Sequence, residues 1–192
     1  MTVFETLGPS NTVQTAEIAA KKAAELGCDL VVSSNEGPSA DALYNACKKF
    51  GATGKIIVVS HVSGFRAGGQ NELSDAKRKE LIDKGMIVVT AGHALSGVER
   101  TFSSKFGGVY PVEIIAHTLR TFGQGTKVCF ECSAMALDAG VIDYAKPVVA
   151  VGGTGRGADT AIVLTPSYSS SIFDTEMHEM LCKPYYPKPK KA

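Results

Sequence analysis

The sequence lacks the features that mark nucleic-acid-binding, membrane and secreted proteins. Its formal net charge is only +1 over 192 residues, which gives no electrostatic reason to expect a nucleic acid or an acidic membrane as partner. No apolar run approaches the roughly 20 residues of a membrane-spanning helix. The start, MTVFETLGPSNT, has neither the basic region nor the apolar core of a signal peptide. We therefore expect a cytoplasmic protein with no nucleic-acid or membrane partner.

Common catalytic and metal-binding motifs are also missing. The chain has no G-x-S-x-G segment, and its five scattered cysteines do not form the pattern of a disulfide framework. Cys129 and Cys132 spell C-x-x-C, but they lie inside a predicted helix, and no second ligand pair occurs at a spacing that suits zinc. We predict reduced cysteines buried on a helix, and no metal site.

Short apolar segments alternate with segments of helical composition. Strands are predicted at residues 29–33, 55–60, 86–90, 148–153 and 160–165, and helices at about 12–26, 40–50, 74–84, 98–104, 111–122 and 126–140. Strands that are apolar on both faces and separated by helices predict a mostly parallel sheet with helices on each side. Only a glycine-rich turn separates the last two strands, so these should pair antiparallel.

No internal repeat or linker divides the chain. We predict a single α/β domain over residues 1–180. The remaining residues, 181–192, are rich in proline and lysine, a composition that predicts an extended, partly mobile tail.

The stretch VVSSNEGPSA (31–40) reads as a strand end, a polar glycine turn and a helix start. Such a turn presents unpaired backbone N–H groups and the positive end of a helix dipole, which together favour an anion such as phosphate. An ordinary strand-to-helix turn with a serine cap explains the same residues. The sequence alone leaves these two interpretations open.

A second glycine cluster, VAVGGTGRGAD (149–159), contains the spacing G-x-G-x-x-A in Gly153, Gly155 and Ala158. A dinucleotide-binding fingerprint requires a helix directly afterwards, whereas TAIVLTP is a strand pattern. The context therefore excludes the Rossmann interpretation. Four glycines in six residues exceed what a hairpin turn needs, which favours the close approach of a ligand, with donors added by Thr154 and Arg156.

Two histidines follow strand ends on the same predicted rim as the glycine loops. His61 and His93 are candidates for ligand donors or acid–base groups. His117 lies among apolar helix residues, which predicts a partly buried side chain. Arg66 and Arg100 are candidates to meet a charged ligand, although solvated surface arginines are commoner.

The order of these segments resembles the C-terminal α/β domain of pyruvate kinase, and more closely the stand-alone archaeal and bacterial proteins built from that domain alone. The resemblance covers about residues 4–173. Its most specific segments are GPSNT, SSNEGPSA, GGVYP, KVCFECSAMALDAG and VGGTGRGAD.

This resemblance implies a three-layer α/β/α sandwich with a five-stranded sheet, strand order 3-2-1-4-5 and the last strand antiparallel. That order places residues 33–37 and 152–159 at one cleft. In pyruvate kinase the loop similar to SSNEGPSA takes a phosphate of a sugar-bisphosphate effector, and in the stand-alone relatives flavin mononucleotide (FMN) occupies the cleft.

Pyruvate kinase loops usually read T-x-S-G-x-T-A. Here Glu36 and Pro38 enter the turn and Ser39 replaces threonine, and we expect Glu36 to face solvent.

We accordingly expect an FMN-binding protein of unknown substrate. The loop 33–39 would hold the phosphate, the loop 152–159 would close over the phosphate or ribityl chain, and the two histidines would lie towards the isoalloxazine ring. The expected cofactor-binding residues are Asn11, Thr12, Ser33, Ser34, Asn35, Gly37, Ser39, His61, His93, Gly153, Thr154, Gly155, Arg156 and Gly157. The catalytic barrel of pyruvate kinase is absent, so we expect no pyruvate kinase activity, and any redox chemistry would belong to the flavin.

The alternative is a non-catalytic regulatory module that binds a phosphorylated metabolite such as a sugar bisphosphate. A bisphosphate needs a second basic pocket, and the candidates Arg66, Arg100 and Arg156 are dispersed along the sequence. In either case the partner is a small phosphorylated ligand. The resemblance also implies self-association as a homo-oligomer, because related domains contribute to subunit contacts in pyruvate kinase.

Overall fold

A seven-stranded mixed sheet runs through the molecule in the computed structural model, which describes residues 1–185. The strands are β1 (Thr2–Phe4), β2 (Asp29–Ser33), β3 (Ile56–Ser60), β4 (Ile87–Thr90), β5 (Val148–Gly152), β6 (Thr160–Thr165) and β7 (Glu176–Pro184). Their order across the sheet is β1-β7-β6-β5-β2-β3-β4. The sheet is parallel from β4 to β5, and β6 is antiparallel to both of its neighbours.

The five predicted strands are present as β2 to β6, in the order expected, with β6 antiparallel to β5. The expected size of the sheet was wrong, because β7 adds to β6 and β1 adds to β7 in parallel. The sequence of these two segments gives little local indication of a buried strand. β1 has only three residues, and the first four residues of β7 are exposed. Pairing between distant segments creates them.

Helices cover both faces of the sheet. They are α1 (Thr12–Leu26), α2 (Pro38–Phe50), α3 (Asp75–Asp83), α4 (Glu99–Phe106), α5 (Pro111–Arg120) and α6 (Gln124–Asp138), with 3-10 turns at Gly8–Asn11 and Ser169–Asp174. Alternate residues of β2 point to opposite faces: Leu30 and Val32 belong to a core cluster with α1 and α2, and Val31 to a second cluster with α6. The result is a three-layer α/β/α arrangement.

One helix boundary and the start of the tail differ from the prediction. Gln124 and Gly125 were expected to separate two helices, but they form the first turn of α6, and Gly123 (φ +127°) separates α5 from α6. Gly125 lacks a side chain where α6 packs directly on Thr160. The predicted start of the tail at residue 181 lies inside β7. Residues 186–192 of that tail lie outside the described residues.

None of the helices in the described chain combines the length and the apolar character that crossing a bilayer requires.

Candidate functional site

A cleft of about 790 Å³ lies at the carboxyl ends of the parallel strands. Residues that follow β2 and residues that follow β5 form two of its walls. The two strands are parallel neighbours, and Val32 pairs with Val151. The loop after β2 and the turn after β5 therefore meet at one place. Open α/β sheets bind ligands at such a point, where the strand order reverses. The volume falls within the range of small-molecule sites.

The β2–α2 loop leads into the N-terminus of α2 at the cleft. The amide of Ser34 donates to the carbonyl of Val59 (3.0 Å), and the amide of Ala40 donates to the hydroxyl of Ser34 (3.3 Å). Gly37 caps α2 with φ +112°, a conformation that favours glycine, and Pro38 starts the helix. Ser39, in the first turn of α2, lines the cleft. This wall therefore combines serine hydroxyls with the positive end of a helix dipole.

Packing within the protein explains most glycines of the β5–β6 turn. A Cβ on Gly157 would lie 2.5 Å from Cα of Pro9 and 2.7 Å from Oγ1 of Thr12, and a Cβ on Gly153 would clash with the carbonyl of Gly157. Only Gly155 (φ +76°) has open space around its missing side chain. Gly157 therefore allows the segment 8–12 to approach the turn closely, and Gly153 allows the turn to close on itself. The turn still forms one wall of the cleft.

The cleft collects most of the predicted ligand residues. Those that line it are Thr12, Ser33, Ser34, Asn35, Ser39, His61, His93, Gly153, Gly155, Arg156 and Gly157. Asn11, Gly37 and Thr154 are not among the lining residues. The side-chain amide of Asn11 donates from Nδ2 to the backbone carbonyl of Thr6 (2.7 Å). The side chain of Lys77 covers Gly37.

Glu36 and Arg156 join the two loops. Arg156 Nη2 lies 3.5 Å from Glu36 Oε1. Both side chains are about half exposed or more, at 66% for Arg156 and 49% for Glu36. Glu36 therefore reaches solvent, and it also lines the cleft.

An aromatic cluster in the segments that follow β3 and β4 forms part of the cleft wall. The ring centroid of His61 lies 4.1 Å from that of Phe65 and 5.3 Å from that of His93. The backbone amide of Val62 donates to His93 Nε2 (3.4 Å). Burial lowers the pKa of His93 below its ordinary value, opposed by the charge of Glu131.

His61 bonds to Glu72, and Arg66 Nε lies 2.7 Å from Glu72 Oε1 in an ion pair. The loop 61–73 thereby places two further charged groups on the cleft wall. His117, expected to be partly buried, is exposed on α5, because it lies on the face of that helix directed away from the core.

Another part of the cleft wall carries a buried ion pair on α6. Lys127 and Glu131, four residues apart, bond to each other with only 7% of each side chain exposed. Glu131 Oε1 also accepts from the amide of Leu95 at 2.9 Å, which ties the loop after β4 to the helix. The sequence did not place either residue in a site. Their i, i+4 spacing within an otherwise apolar helix is the signal that could have indicated it.

The structure brings together cations that are dispersed in the sequence. Arg66, Arg100 and Arg156 all line this one cleft, and Arg120 and Lys127 join them. The cleft is therefore more cationic than the near-neutral chain as a whole.

The predicted buried cysteines are confirmed. Cys129 and Cys132 lie on α6, and both thiols are free and buried. Burial raises the pKa of each thiol. Within residues 1–185, no group of three or more His, Cys, Asp or Glu side chains is placed to hold a metal ion.

No protein family model matches the chain.

Proposed function

We propose that the protein binds FMN in the cleft between the β2–α2 loop and the β5–β6 turn. The observation that carries this proposal is the meeting of the segment SSNEGPS with the glycine turn at one cleft, beside the first turn of α2. The phosphate would lie against Ser33, Ser34 and Ser39, where hydroxyls and the helix dipole stabilise negative charge. Arg156 would add a charged donor from the opposite loop.

The rest of the cleft suits the remainder of the cofactor. Phe65 and the imidazoles of His61 and His93 form a partly aromatic wall, and Val128 and Met135 on α6 add apolar surface. A planar ring system gains from stacking and burial against such side chains. The donors 33–39 and this wall both border the cleft, so one elongated ligand can reach both.

The protein's own part in this proposal is to hold and orient the ligand. When bound, FMN would supply any redox chemistry. The buried ion pair of Lys127 and Glu131 fixes the α6 wall, and Glu72 orients His61.

The test is the visible absorption spectrum of the protein purified without added cofactor, followed by titration of FMN into protein freed of its ligand. We expect a flavin spectrum, and quenching of flavin fluorescence on titration. Ser39→Ala should weaken binding, because it removes a hydroxyl from the phosphate wall. Ser133→Ala is the matched control, since Ser133 is a buried serine that does not line the cleft. A colourless protein that takes up no added FMN contradicts the proposal.

One observation favours the second candidate, a regulatory module for a phosphorylated metabolite. Arg66, Arg100 and Arg156 are dispersed in the sequence, but all three line the cleft, where they can supply a second basic pocket. Thermal unfolding with FMN and with fructose 1,6-bisphosphate separates the two candidates, because only a ligand that binds the folded state raises Tm.

Self-association is a further proposal. Large apolar side chains on α4, α5 and the segment after α5 are exposed, including Phe102, Phe106, Ile114 and Phe122. Exposed apolar surface of this kind is typical of contact sites. Sedimentation equilibrium measures the oligomeric state directly.

A further inference from the structure

The charges of the cleft do not cancel. Its walls carry five cationic side chains, Arg66, Arg100, Arg120, Lys127 and Arg156, and three carboxylates, Glu36, Glu72 and Glu131. Each carboxylate is paired: Glu36 with Arg156, Glu72 with Arg66, and Glu131 with Lys127. Two guanidinium groups, those of Arg100 and Arg120, therefore remain without a carboxylate partner among residues 1–185.

Arg100 is the second residue of α4, and its side chain is exposed at the cleft. Its guanidinium has no hydrogen-bond or ion-pair partner in the described part of the chain. It lies close enough to His93 for its charge to disfavour protonation of that imidazole. The guanidinium therefore borders the cleft without an internal partner.

Arg120, the last residue of α5, has a fixed orientation. Its Nε donates to Gln124 Oε1 at 2.8 Å. This bond involves a neutral amide, so it positions the guanidinium and leaves its charge uncompensated. The two terminal nitrogens have no partner among the described residues, and they present the donors that bind a carboxylate or phosphate in bidentate fashion.

We propose that Arg100 and Arg120 form a second anion-binding site in the cleft, which takes a carboxylate or phosphate group of a molecule other than the flavin. The inference rests on the proposed function, because it assumes that the FMN phosphate occupies the β2–α2 loop. The two sites come from different layers: α2 supplies the first, and α4 and α5 supply the second. A small anionic substrate or effector would then lie beside His93 and share the cleft with the cofactor.

The test is calorimetric titration of inorganic phosphate into FMN-saturated protein, at an ionic strength held constant with chloride. The wild-type protein should bind one phosphate, and succinate should compete for that site. Arg100→Gln and Arg120→Gln should each weaken this binding about tenfold or more, as expected for loss of a charge-assisted contact. Lys146→Gln, which removes one exposed charge away from the cleft, should leave it unchanged.

Absence of phosphate binding to the FMN-loaded protein, or equal binding by wild type and both arginine variants, overturns the inference. Circular dichroism and FMN affinity of the variants establish that they fold and retain the first site.

If the proposal of FMN binding is wrong, the phosphate titrations give a different result. If FMN does not bind, phosphate is titrated into the ligand-free protein, where two phosphates are expected. Ser39→Ala should weaken one and Arg100→Gln the other. If fructose 1,6-bisphosphate instead binds in a 1:1 complex that both substitutions weaken, one ligand spans both sites, and the proposal of a separate anionic molecule is wrong.

Discussion

Arg156 Nη2 lies 3.5 Å from Glu36 Oε1, so an ion pair links the β5–β6 turn to the β2–α2 loop at the proposed phosphate site. The two residues are far apart in the sequence, and only the pairing of β2 with β5 brings their loops together. The pair puts one group that attracts phosphate next to one that repels it.

Glu36→Gln should tighten FMN binding severalfold, because it removes a negative charge near the phosphate and releases Arg156 from its partner. Arg156→Gln should weaken binding. Both substitutions should change the free energy of unfolding by less than about 1 kcal/mol, since the pair is largely exposed. Fluorescence titration and urea unfolding measure the two quantities. A loss of affinity in Glu36→Gln as large as that in Arg156→Gln contradicts the placement.

Gly157→Ala should destabilise the protein more than Gly155→Ala. Both glycines have positive φ, at +73° and +76°, where a residue with a Cβ costs about 1–2 kcal/mol. Only at Gly157 would the added methyl group meet Pro9 and Thr12, which adds about 1–3 kcal/mol of overpacking. Urea unfolding compares the two variants, and equal costs would show that the turn does not pack on the segment 8–12.

Lys127→Met should lower the free energy of unfolding by about 3–5 kcal/mol, because it leaves Glu131 buried and without its counter-charge. The double variant Lys127→Met with Glu131→Gln should recover much of that loss, since the glutamine is neutral and its carbonyl oxygen can still accept from the amide of Leu95. Chemical unfolding of both variants checks this. A double variant no more stable than the single one would contradict the prediction.

The stability of the protein should fall as pH drops below 6.5, in part because of His93. Burial lowers the pKa of His93 in the folded state, so the unfolded chain takes up a proton first, and stability rises with pH up to the ordinary value of 6.5. The contribution of one such group is at most about 1.4 kcal/mol per pH unit. His93→Gln should flatten this part of the profile. His117→Gln is the control, because His117 is exposed and away from the cleft.

The native protein should react slowly with a thiol reagent such as DTNB near neutral pH. All five cysteines are buried and free, and burial raises the pKa of Cys47 and of Cys182 to about 11. Unfolding in urea should expose five reactive thiols. Rapid reaction of one thiol in the native state would reveal an opening of the core, and Cys132, which borders the cleft, is the first to examine.

Local patterns in the sequence determined the central layer of the fold. β2, β3 and β5 are apolar on both faces because helices cover both sides of the sheet, and this property is readable from the residues themselves. The antiparallel pairing of β5 and β6 followed from the short glycine turn between them. The burial of Cys129 and Cys132 followed from their place within an apolar helix.

Only the tertiary structure decided the edge of the sheet and the charge of the cleft. β1 and β7 form because residues 2–4 meet residues 182–184, a contact that no local pattern specifies. Gly157 of the β5–β6 turn packs against Pro9 and Thr12, so packing within the protein accounts for this glycine without a ligand. In the sequence Arg100 is one of several dispersed candidates to meet a charged ligand, and Arg120 has no feature that distinguishes it from a surface arginine. In the folded protein the three carboxylates of the cleft pair with Arg66, Lys127 and Arg156, so none is left for Arg100 or Arg120. Long-range contacts decide these pairings, and the sequence does not show them.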